Sequence, residues 1–509
     1  MSNWNEGYTS DITYTYGYYP ELSPQSLTVP FLNAGIAPPK ITRACELGFG
    51  QGVSVNIHAA AGGAQWYGTD FNPAQVQFAR HLGAQGGTEE KLHIADQSFA
   101  EFCARDDLPE FDFIGLHGIW SWISDENRRI IADFLRRKLK VGGVLYISYN
   151  TLPGWSANAP LRHLLAEYDR HASAADSRQS SIVQAVDRTR EALKLSHRLT
   201  EQVPGIAARA DSLAEANVNY LAHEYLNGDW HPMYYTQIES SLQAAKLTYV
   251  CSASYLDDYD DCLFDEAQKA HMAGIHSSSL RQTTKDFFLN RQFRRDYWVK
   301  GGRQLTAGET AAAWNAQTVM LAGEPGEQIG TVSHYRTIHI LEALLQPLLE
   351  QLKDRQPHKV ADLAASLKDK MNPEQLYGLI SLLEAKKNLV LVQSEEEIKA
   401  AAKYCRPLNR HILERARDNG DIGWLASPAT GSGVAVGRID QLFLLAHTEK
   451  VKQDKWPQFV WEILKAQNLS LIRDGQTLSG DEANLAELVR LKTIFVEKQL
   501  PLMQKLQVV

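Results

Sequence analysis

The first 150 residues of the chain switch repeatedly between short apolar segments and longer segments that mix apolar and polar residues. The apolar segments have the length and composition of β-strands, and the first of them is followed by a segment with the character of a helix. Strands are predicted at residues 41–45, 66–70, 92–96, 111–117 and 142–150. This pattern predicts a doubly wound α/β sheet, whose ligand-binding edge is formed by the carboxyl ends of the strands.

The pattern changes beyond this sheet. Apolar residues at helical spacing between about residues 160 and 200 predict a pair of helices that could contribute to a homodimer. Residues 221–298 mix aromatic and charged side chains, as in a smaller α+β domain. A winged-helix-like module follows, with three helices and a strand predicted at 337–352, 360–367, 372–384 and 389–392. The chain is again helical from about residue 400, so the predicted units are 1–158, 159–204, 205–305, 306–398 and 399–509.

Charge limits the function classes. The chain has 509 residues and a formal net charge of -8, so there is no general electrostatic attraction to nucleic acid or to acidic membranes. The third helix of the winged-helix-like module lacks a basic stripe, which favours protein contact or a scaffolding role over DNA binding. We therefore predict no nucleic-acid partner.

The cysteines indicate neither a metal site nor a disulfide. They lie far apart, without the paired spacing of a zinc site or a redox pair, at Cys45, Cys103, Cys251, Cys262 and Cys405. The pair His223-Glu224 begins like a zinc-protease helix motif, but Asn227 stands where the second histidine is required. We expect buried thiols and no metal.

The N-terminus starts with polar and acidic residues rather than with the basic and apolar regions of a signal peptide. No run of about eighteen apolar residues could span a bilayer. We therefore expect a cytoplasmic protein without membrane insertion.

The most informative motif follows the first predicted strand. It is Glu46-Leu47-Gly48-Phe49-Gly50-Gln51-Gly52, a carboxylate with three alternating glycines, and a helix is predicted directly after it. Only glycine lets the backbone turn so sharply beneath a bound group. The motif is not the dinucleotide fingerprint, because Val53 stands where the third glycine is needed, and no Lys-Ser or Lys-Thr pair follows as in a phosphate-binding loop. A nucleoside cofactor is the expected occupant.

Two further carboxylates end the second and third strands, Asp70 and Asp96. With the glycine turn they resemble the class I S-adenosylmethionine-dependent methyltransferases, which have a Rossmann-like sheet. The resemblance implies that the glycine turn lies under the methionine part, that Asp70 holds the ribose, and that Asp96 meets the adenine amino group. The residues expected to bind S-adenosyl-L-methionine in this sheet are Glu46, Gly48, Phe49, Gly50, Gly52, Asp70, Phe71, Asp96, Gln97 and His117. His117 could alternatively act as a base or bond a loop carbonyl.

A closer resemblance extends over roughly residues 10 to 300. Four segments, at 116–123, 146–155, 223–226 and 286–294, are similar to bacterial methyltransferases that carry a methyltransferase regulatory domain. The rickettsial protein lysine methyltransferases belong to that group. The resemblance implies methyl transfer to lysine side chains of a protein substrate, with the regulatory domain at 205–305 closing over the acceptor.

A tyrosine-rich arm precedes the sheet, and we expect it to fold over the cofactor as a lid. Its tyrosines are Tyr8, Tyr14, Tyr16, Tyr18 and Tyr19. Aromatic faces attract cations, so ring contacts with a sulfonium are expected from Tyr16 and from Tyr18 or Tyr19, with Tyr18 also touching the substrate. Alternatively, the rings only pack the arm against the sheet.

The fifth strand is expected to deliver the acceptor site. Tyr149 and Asn150 end this strand and are the predicted catalytic residues, which would accept hydrogen bonds from the acceptor amine, and Trp155 is predicted to bind substrate. An acidic group at 257–261 could attract a cationic substrate or form a solvated face. The alternatives to a protein lysine methyltransferase are a small-molecule or glycan methyltransferase and a cofactor-binding scaffold with vestigial catalysis.

Overall fold

The computed structural model describes residues 15–172, 177–323 and 328–509. Tyr8 and Tyr14 of the predicted lid lie outside these described residues. The arm residues that follow enter a 3-10 helix at Pro20–Leu22.

The core of the molecule is a seven-stranded sheet with the strand order β3-β2-β1-β4-β5-β7-β6. Its strands are β1 Arg43–Leu47, β2 Gln65–Thr69, β3 Leu92–Ala95, β4 Phe111–Leu116, β5 Leu139–Asn150, β6 Thr248–Ser252 and β7 Phe293–Val299. Strands β1 to β5 are parallel, whereas β7 runs antiparallel to both of its neighbours. The predicted fold class is confirmed, and each of the five predicted strands matches a strand of the sheet to within a few residues.

Helices cover both faces of this sheet. The first five are α1 Thr28–Asn33, α2 Val53–Ala61, α3 Pro73–Gly86, α4 Phe99–Cys103 and α5 Asp125–Lys138. Side chains fix the starts of three of them, because Asn72, Ser98 and Ser124 each accept a hydrogen bond from a backbone N–H in the first turn of α3, α4 and α5. These starts lie at the carboxyl edge of the sheet, next to the ends of β2, β3 and β4.

The sheet is completed by residues far along the chain. Helices α6 Ala159–Arg170, α7 Arg178–Leu195, α8 His197–Gln202, α9 Ile206–Ala214, α10 Val218–Tyr225 and α11 Tyr235–Gln243 separate β5 from β6. Three more, α12 Asp260–Leu263, α13 Glu266–Ala273 and α14 Ser278–Phe288, separate β6 from β7. The segment expected to form a separate α+β domain therefore places its two strands in the central sheet, where β7 pairs with β5 and covers its otherwise open edge.

The helical insertion has an apolar core of its own. Side chains from α6, α7, α9 and α10 pack together in a cluster that includes Leu161, Ile182 and Leu221. This arrangement agrees with the helices predicted near residues 160–200.

The next unit combines short helices with a small sheet. Its elements are α15 Ala307–Asn315, β8 Thr318–Leu321, β9 Thr331–Ser333, β10 Thr337–His339, α16 Glu342–Leu352, β11 His358–Lys359, α17 Val360–Leu367, α18 Pro373–Ala385 and β12 Leu389–Leu391. Strands β11, β8 and β12 form a three-stranded sheet, and β9 and β10 form a hairpin. The first predicted helix is five residues too long, because Thr337–His339 pairs with β9 instead of continuing α16.

The C-terminal unit packs directly on the central domain. Its elements are α19 Glu395–Arg415, β13 Trp424–Ser427, β14 Ser432–Ala435, α20 Arg438–Thr448, α21 Trp456–Ala466, β15 Ile472–Arg473, β16 Gln476–Thr477, α22 Gly480–Ile494 and α23 Leu500–Lys505. One apolar cluster contains Val53 and Ile57 of α2 together with Leu408 and Ile412 of α19. This unit is thus part of the same packed body as the sheet.

Two features are absent from the described ranges. There, no helix is long and apolar enough to cross a membrane, and no group of three or more His, Cys, Asp or Glu side chains could hold a metal ion. All five cysteines are buried and none forms a disulfide.

Candidate active site

A cleft opens at the carboxyl edge of the sheet, where β1, β2, β3 and β4 end. Its empty space, counted to the open mouth, is about 1010 Å³. The lining residues are Tyr19, Glu46, Gly48, Phe49, Gly50, Asp70, Phe71, Gln75, Gln97, Ser98, Phe99, His117, Gly118, Ile119, Trp122, Ile123, Ser124, Asn127 and Asp229. The cleft lies at the edge where an open α/β sheet is expected to bind a ligand.

The glycine turn forms the floor of the cleft. Gly48 and Gly50 have φ angles of 74° and 57°, in the left-handed region that favours glycine. A side chain at Gly48 would also collide with Ile119, which approaches the turn from across the cleft. Both positions therefore favour glycine for their left-handed backbone, and Gly48 also leaves the space that Ile119 fills.

Asp70 links the glycine turn after β1 to the segment after β2. One of its carboxylate oxygens accepts a hydrogen bond from the backbone N–H of Gly50 at 2.9 Å, and the other accepts one from Asn72 at 3.0 Å. Burial raises the pKa of Asp70 to about 6, although these two hydrogen bonds act in the opposite direction. Each oxygen keeps a second lone pair that can accept a hydrogen bond from a ligand hydroxyl.

Glu46 is a buried carboxylate without a full set of partners. The residue is 2% exposed, and its Oε2 atom has no hydrogen-bond partner among the described residues. Burial, followed by repulsion from Asp70, raises the pKa of Glu46 to about 8. A buried carboxylate of this kind is stabilised when a cation binds beside it.

His117 and Tyr19 form one wall of the cleft. Their rings stack with centroids 3.5 Å apart, and His117 Nδ1 lies 2.8 Å from the hydroxyl oxygen of Tyr146. Removal from water, together with the nearby charge of Arg295, lowers the pKa of His117 to about 3. The imidazole is therefore neutral at pH 7 and adds no positive charge to the cleft.

Further lining residues come from the segment after β4 and from the segment after α10. Trp122, Ile123, Ser124 and Asn127 belong to the 3-10 turn Trp120–Trp122 and the start of α5. Asp229 reaches the cleft from the segment after α10, with its carboxylate 3.1 Å from Nε2 of His231. The Asp229 side chain is 34% exposed, which places it at the mouth.

The charge of the cleft has one sign. Asp70 and Asp229 contribute carboxylates, and Glu46 adds a carboxyl group that mostly holds its proton at pH 7, whereas neither lysine nor arginine lines the cleft among the residues that the structure describes. Such a lining favours cationic ligands over anionic ones.

Two residues of the sheet domain that were expected to bind the cofactor, in addition to Tyr16 of the arm, lie outside the cleft lining. Gly52, with φ of 71°, starts α2, and a Cβ atom there would come within 2.5 Å of the Cβ of Ala79. It serves the packing of α2 on α3. Asp96 has a side chain that is 53% exposed and lies 3.9 Å from Arg80, while its neighbour Gln97 lines the cleft instead.

The lid tyrosines are also placed differently from the expectation. Tyr16 packs edge-on against Phe78 with centroids 5.0 Å apart, and the guanidinium of Arg415 lies over its ring at 5.3 Å. Tyr18 is buried, and its hydroxyl oxygen accepts a hydrogen bond from the backbone N–H of Gly433 at 2.6 Å. Both rings contact the C-terminal unit, and only Tyr19 of the described arm tyrosines lines the cleft.

Tyr149 and Asn150, the expected catalytic residues, do not line the cleft. Successive side chains of a strand point to opposite faces, and Tyr149 lies on the face opposite Tyr146, which contacts His117. Its hydroxyl donates to Asp296 at 2.7 Å. Asn150 is 4% exposed, with its backbone N–H bonded to Ser121 Oγ at 2.9 Å.

Trp155, which is predicted to bind substrate, lies in the apolar core of the helical insertion and does not line the cleft. Its side chain is 6% exposed and meets Tyr225 and Trp230 edge to face, at centroid distances of 6.0 and 5.4 Å. The reason is that the chain after β5 turns into α6 and is covered by α10 and the segment that follows it.

The acidic group at 257–261 is neutralised internally. Asp257 contacts Arg291 at 3.2 Å and His334 at 2.7 Å, and Asp258 contacts Lys285 at 2.8 Å. Asp260 and Asp261 also contact basic side chains, Arg281 and Lys269. These ion pairs stabilise the segment after β6, and the basic partners offset the negative charge that could attract a cationic substrate.

Sequence reasoning missed about half of the cleft lining. Ser98, Phe99, Ser124 and Asn127 sit at helix starts after β3 and β4, so the rule that ligands bind at strand carboxyl ends could have found them. No local pattern marks Asp229, because it comes from a segment after α10, about eighty residues beyond the end of β5.

Comparison with known families decides the identity of the chain. Residues 45–147 match a family model described as a methyltransferase domain, and residues 217–300 match one described as a predicted methyltransferase regulatory domain. Over 509 aligned residues, 99% of both chains, the sequence is 35% identical to an uncharacterized protein of Synechocystis sp.. The chain is a class I S-adenosylmethionine-dependent methyltransferase with a regulatory domain.

More distant relatives come from Rickettsia. The methyltransferase is 24% identical over 295 residues to an uncharacterized protein of Rickettsia prowazekii, covering 56% of this chain and 51% of that protein. The solved structure of PKMT2 from Rickettsia typhi in complex with AdoHcy aligns with a TM-score of 0.67 at 16% identity. The alignment covers 95% of this chain and 98% of PKMT2, so the two proteins share their fold over nearly the whole length.

The match to the regulatory domain gives that segment a structural role. Residues 217–300 contain both β6 and β7 of the central sheet, as well as Asp229 in the cleft. The regulatory domain of this methyltransferase is thus built into the sheet that carries the cleft.

Proposed function

We propose that the methyltransferase transfers methyl groups from S-adenosylmethionine to lysine side chains of a protein substrate, and that the cleft at the sheet edge is the site. The observation that carries the proposal is the cleft itself, which joins a glycine floor to three carboxyl groups without a lysine or arginine among its described lining residues. A sulfonium donor and an ammonium acceptor are both cations, and such a site suits both.

The chain's residues fit the donor at named positions. The glycine turn would lie under its methionine part, and the unpartnered Glu46 oxygen would face the methionine ammonium. Asp70 would accept hydrogen bonds from the ribose hydroxyls. The adenine would lie among the uncharged residues Phe71 and Gln97. When bound, S-adenosylmethionine supplies an electrophilic methyl group on a positively charged sulfur.

In this proposal, the protein aligns the acceptor with the donor methyl group and surrounds the sulfonium with side chains that do not repel it. Methyl transfer needs the acceptor nitrogen in line with the methyl group, and positioning supplies much of the acceleration in such displacements. The neutral His117 and the ring of Tyr19 line the cleft without repelling a sulfonium.

The acceptor amine must lose its proton before it can react. A lysine ammonium has an ordinary pKa of about 10.4, and it is lowered when the group leaves water. Asp229 at the mouth would attract the ammonium, and the apolar surface of Trp122 and Ile123 would desolvate it. The full-length likeness in fold to PKMT2 supports a protein as the substrate class.

The test uses the purified full chain with S-adenosylmethionine and a bacterial protein extract. Mass spectrometry should find lysine residues that gain methyl groups only when the enzyme and the donor are both present. Asp70→Asn should weaken S-adenosylhomocysteine binding in calorimetry at least about tenfold, which corresponds to about 1.4 kcal/mol. Asp96→Asn is the matched control and should bind like the wild type, because its side chain points to solvent beside Arg80.

The outcomes separate the parts of the proposal. Methylation confined to metabolites or glycans would contradict the lysine substrate while leaving the donor site intact. Equal affinities of the Asp70→Asn and Asp96→Asn proteins would contradict the ribose assignment.

A further inference from the structure

The N-terminal arm is fastened to the C-terminal unit just before it reaches the cleft. Tyr18 packs against Trp424 with ring centroids 4.6 Å apart, and its hydroxyl accepts the hydrogen bond from Gly433. A Cβ atom on Gly433 would lie 2.7 Å from the Tyr18 ring. The hairpin of β13 and β14 therefore holds this ring in a socket that only glycine at position 433 leaves open.

A second attachment lies a few residues beyond. The hydroxyl of Ser23 donates to the carbonyl of Gly431 at 3.4 Å, and a side-chain hydrogen bond of 3.5 Å joins Gln25 to Gln393. Gly431 sits in the turn between β13 and β14. The hairpin thus touches the arm on both sides of Tyr19.

Tyr19 itself points the other way, into the cleft. Its ring stacks on His117, and its backbone N–H donates to Ser54 Oγ at 2.9 Å near the start of α2. The ring bound by the C-terminal hairpin and the ring that lines the cleft thus belong to adjacent residues. Because adjacent residues are covalently linked, a displacement of Tyr18 by even about 1 Å would move Tyr19.

We propose that the β13–β14 hairpin of the C-terminal unit is a positioning element for cofactor binding, which acts through Tyr18 and Gly433 to set Tyr19 as a wall of the cleft. The C-terminal unit would then control donor affinity although none of its described residues lines the cleft. The inference rests on the proposed assignment of the cleft to S-adenosylmethionine and is independent of the acceptor.

Two substitutions disturb the socket without touching the cleft. Tyr18→Phe keeps the ring and removes the hydroxyl that binds the Gly433 N–H, and Gly433→Ala pushes against the ring. The controls are Tyr377→Phe, whose hydroxyl bonds Asn315 at 3.3 Å in another unit, and Gly423→Ala, where a Cβ atom would meet nothing within 4 Å. Binding of S-adenosylhomocysteine to the full chain is measured by calorimetry.

Both socket variants should weaken binding by about fivefold, and both controls should bind as the wild type does. In methyl transfer, the KM for S-adenosylmethionine should rise by a similar factor while kcat at saturating donor changes less than about twofold, because the chemistry is unchanged once the donor is bound.

A double-mutant cycle tests whether Tyr18 acts through Tyr19. Tyr19→Ala should weaken binding by itself, and adding Tyr18→Phe to it should cause no further loss, since residues that act as a unit are not additive. Additive losses, or socket variants that bind like their controls, would overturn the inference. If the Gly433→Ala protein does not fold, the binding affinity of the Tyr18→Phe protein alone tests the inference. A wild-type chain that binds no S-adenosylhomocysteine would overturn the proposed donor site as well.

Discussion

At the scale of single residues, the buried carboxyl group of Glu46 lowers the free energy of unfolding of the protein without a ligand. The carboxyl group is buried at the end of β1, close to Asp70 and without a partner for one oxygen among the described residues. Its pKa lies near 8 in the folded protein, against 4.5 as the ordinary value. The folded state therefore holds a proton on Glu46 at pH values where the unfolded chain has released it.

This difference predicts how stability depends on pH. Because the folded pKa is raised, the wild type should lose stability relative to Glu46→Gln as pH rises from about 5 to 8, and the difference should level off above pH 8. The slope is at most about 1.4 kcal/mol per pH unit for one proton. Urea unfolding of the two unliganded proteins at several pH values measures it.

Glu309→Gln is the control for this experiment. Hydrogen bonds from Thr306 and from the side chain of Arg303 lower the pKa of Glu309 to about 2. Glu309 is therefore ionised between pH 6 and 8 in the folded protein as well as in the unfolded chain. Its stability difference from the wild type should stay constant between pH 6 and 8. A difference for Glu46→Gln that is equally flat would show that Glu46 is not forced to hold a proton.

At the scale of elements, the pairing of β5 with β7 explains why Tyr149, at the end of β5, does not line the cleft. Arg294 of β7 is buried and bonds Asp286 and Asp296 at 2.8 and 2.9 Å, and Tyr149 of β5 donates to the same Asp296. Buried charges are tolerated when they are paired and hydrogen-bonded in this way. Tyr149 thus belongs to a network that joins β5, β7 and α14.

Tyr149→Phe should therefore affect stability rather than catalysis. Loss of a buried hydrogen bond to a carboxylate should lower the free energy of unfolding by about 1 to 3 kcal/mol. Methyl transfer at a temperature where both proteins are folded should keep its kcat and its KM for the donor. Thermal unfolding and steady-state kinetics on the same preparations measure both effects. A large fall in kcat with unchanged stability would contradict the structural role and support a role for Tyr149 in the acceptor site.

The same elements show what the sequence could and could not predict. Strands β1 to β5 and the glycine turn follow from local patterns, because apolar runs, glycines and terminal acids are close together in the chain. The pairing of Tyr149 with Arg294 joins residues 145 positions apart, and no periodicity encodes it. Without β7, the end of β5 looks like an open edge, which is why Tyr149 and Asn150 were expected to face a substrate.

At the scale of the whole molecule, the C-terminal unit shares its apolar core with helices that cover the central sheet. Leu408 of α19 packs against α3, where a Cβ atom on Gly86 would lie 3.3 Å from it, and the same cluster includes Val53 and Ile57 of α2. Helix α2 begins directly after the glycine turn. The C-terminal unit therefore supports the helix that follows the floor of the cleft. The sequence could not reveal this contact, because α2 and α19 lie more than about 330 positions apart in the chain.

This shared core predicts that donor binding protects the C-terminal unit. Hydrogen exchange with S-adenosylhomocysteine should slow in α2 and also in α19, because a ligand that binds the folded state stabilises everything that unfolds together with its site. Helices α7 and α9, which pack in a separate cluster, should gain less protection.

Leu408→Ala opens a cavity between α19 and α3, so it should lower the free energy of unfolding by about 2 to 5 kcal/mol. It should also reduce the protection that donor binding gives to α19. Ligand protection confined to the central sheet, with α19 unchanged, would show that the C-terminal unit unfolds independently of the cleft.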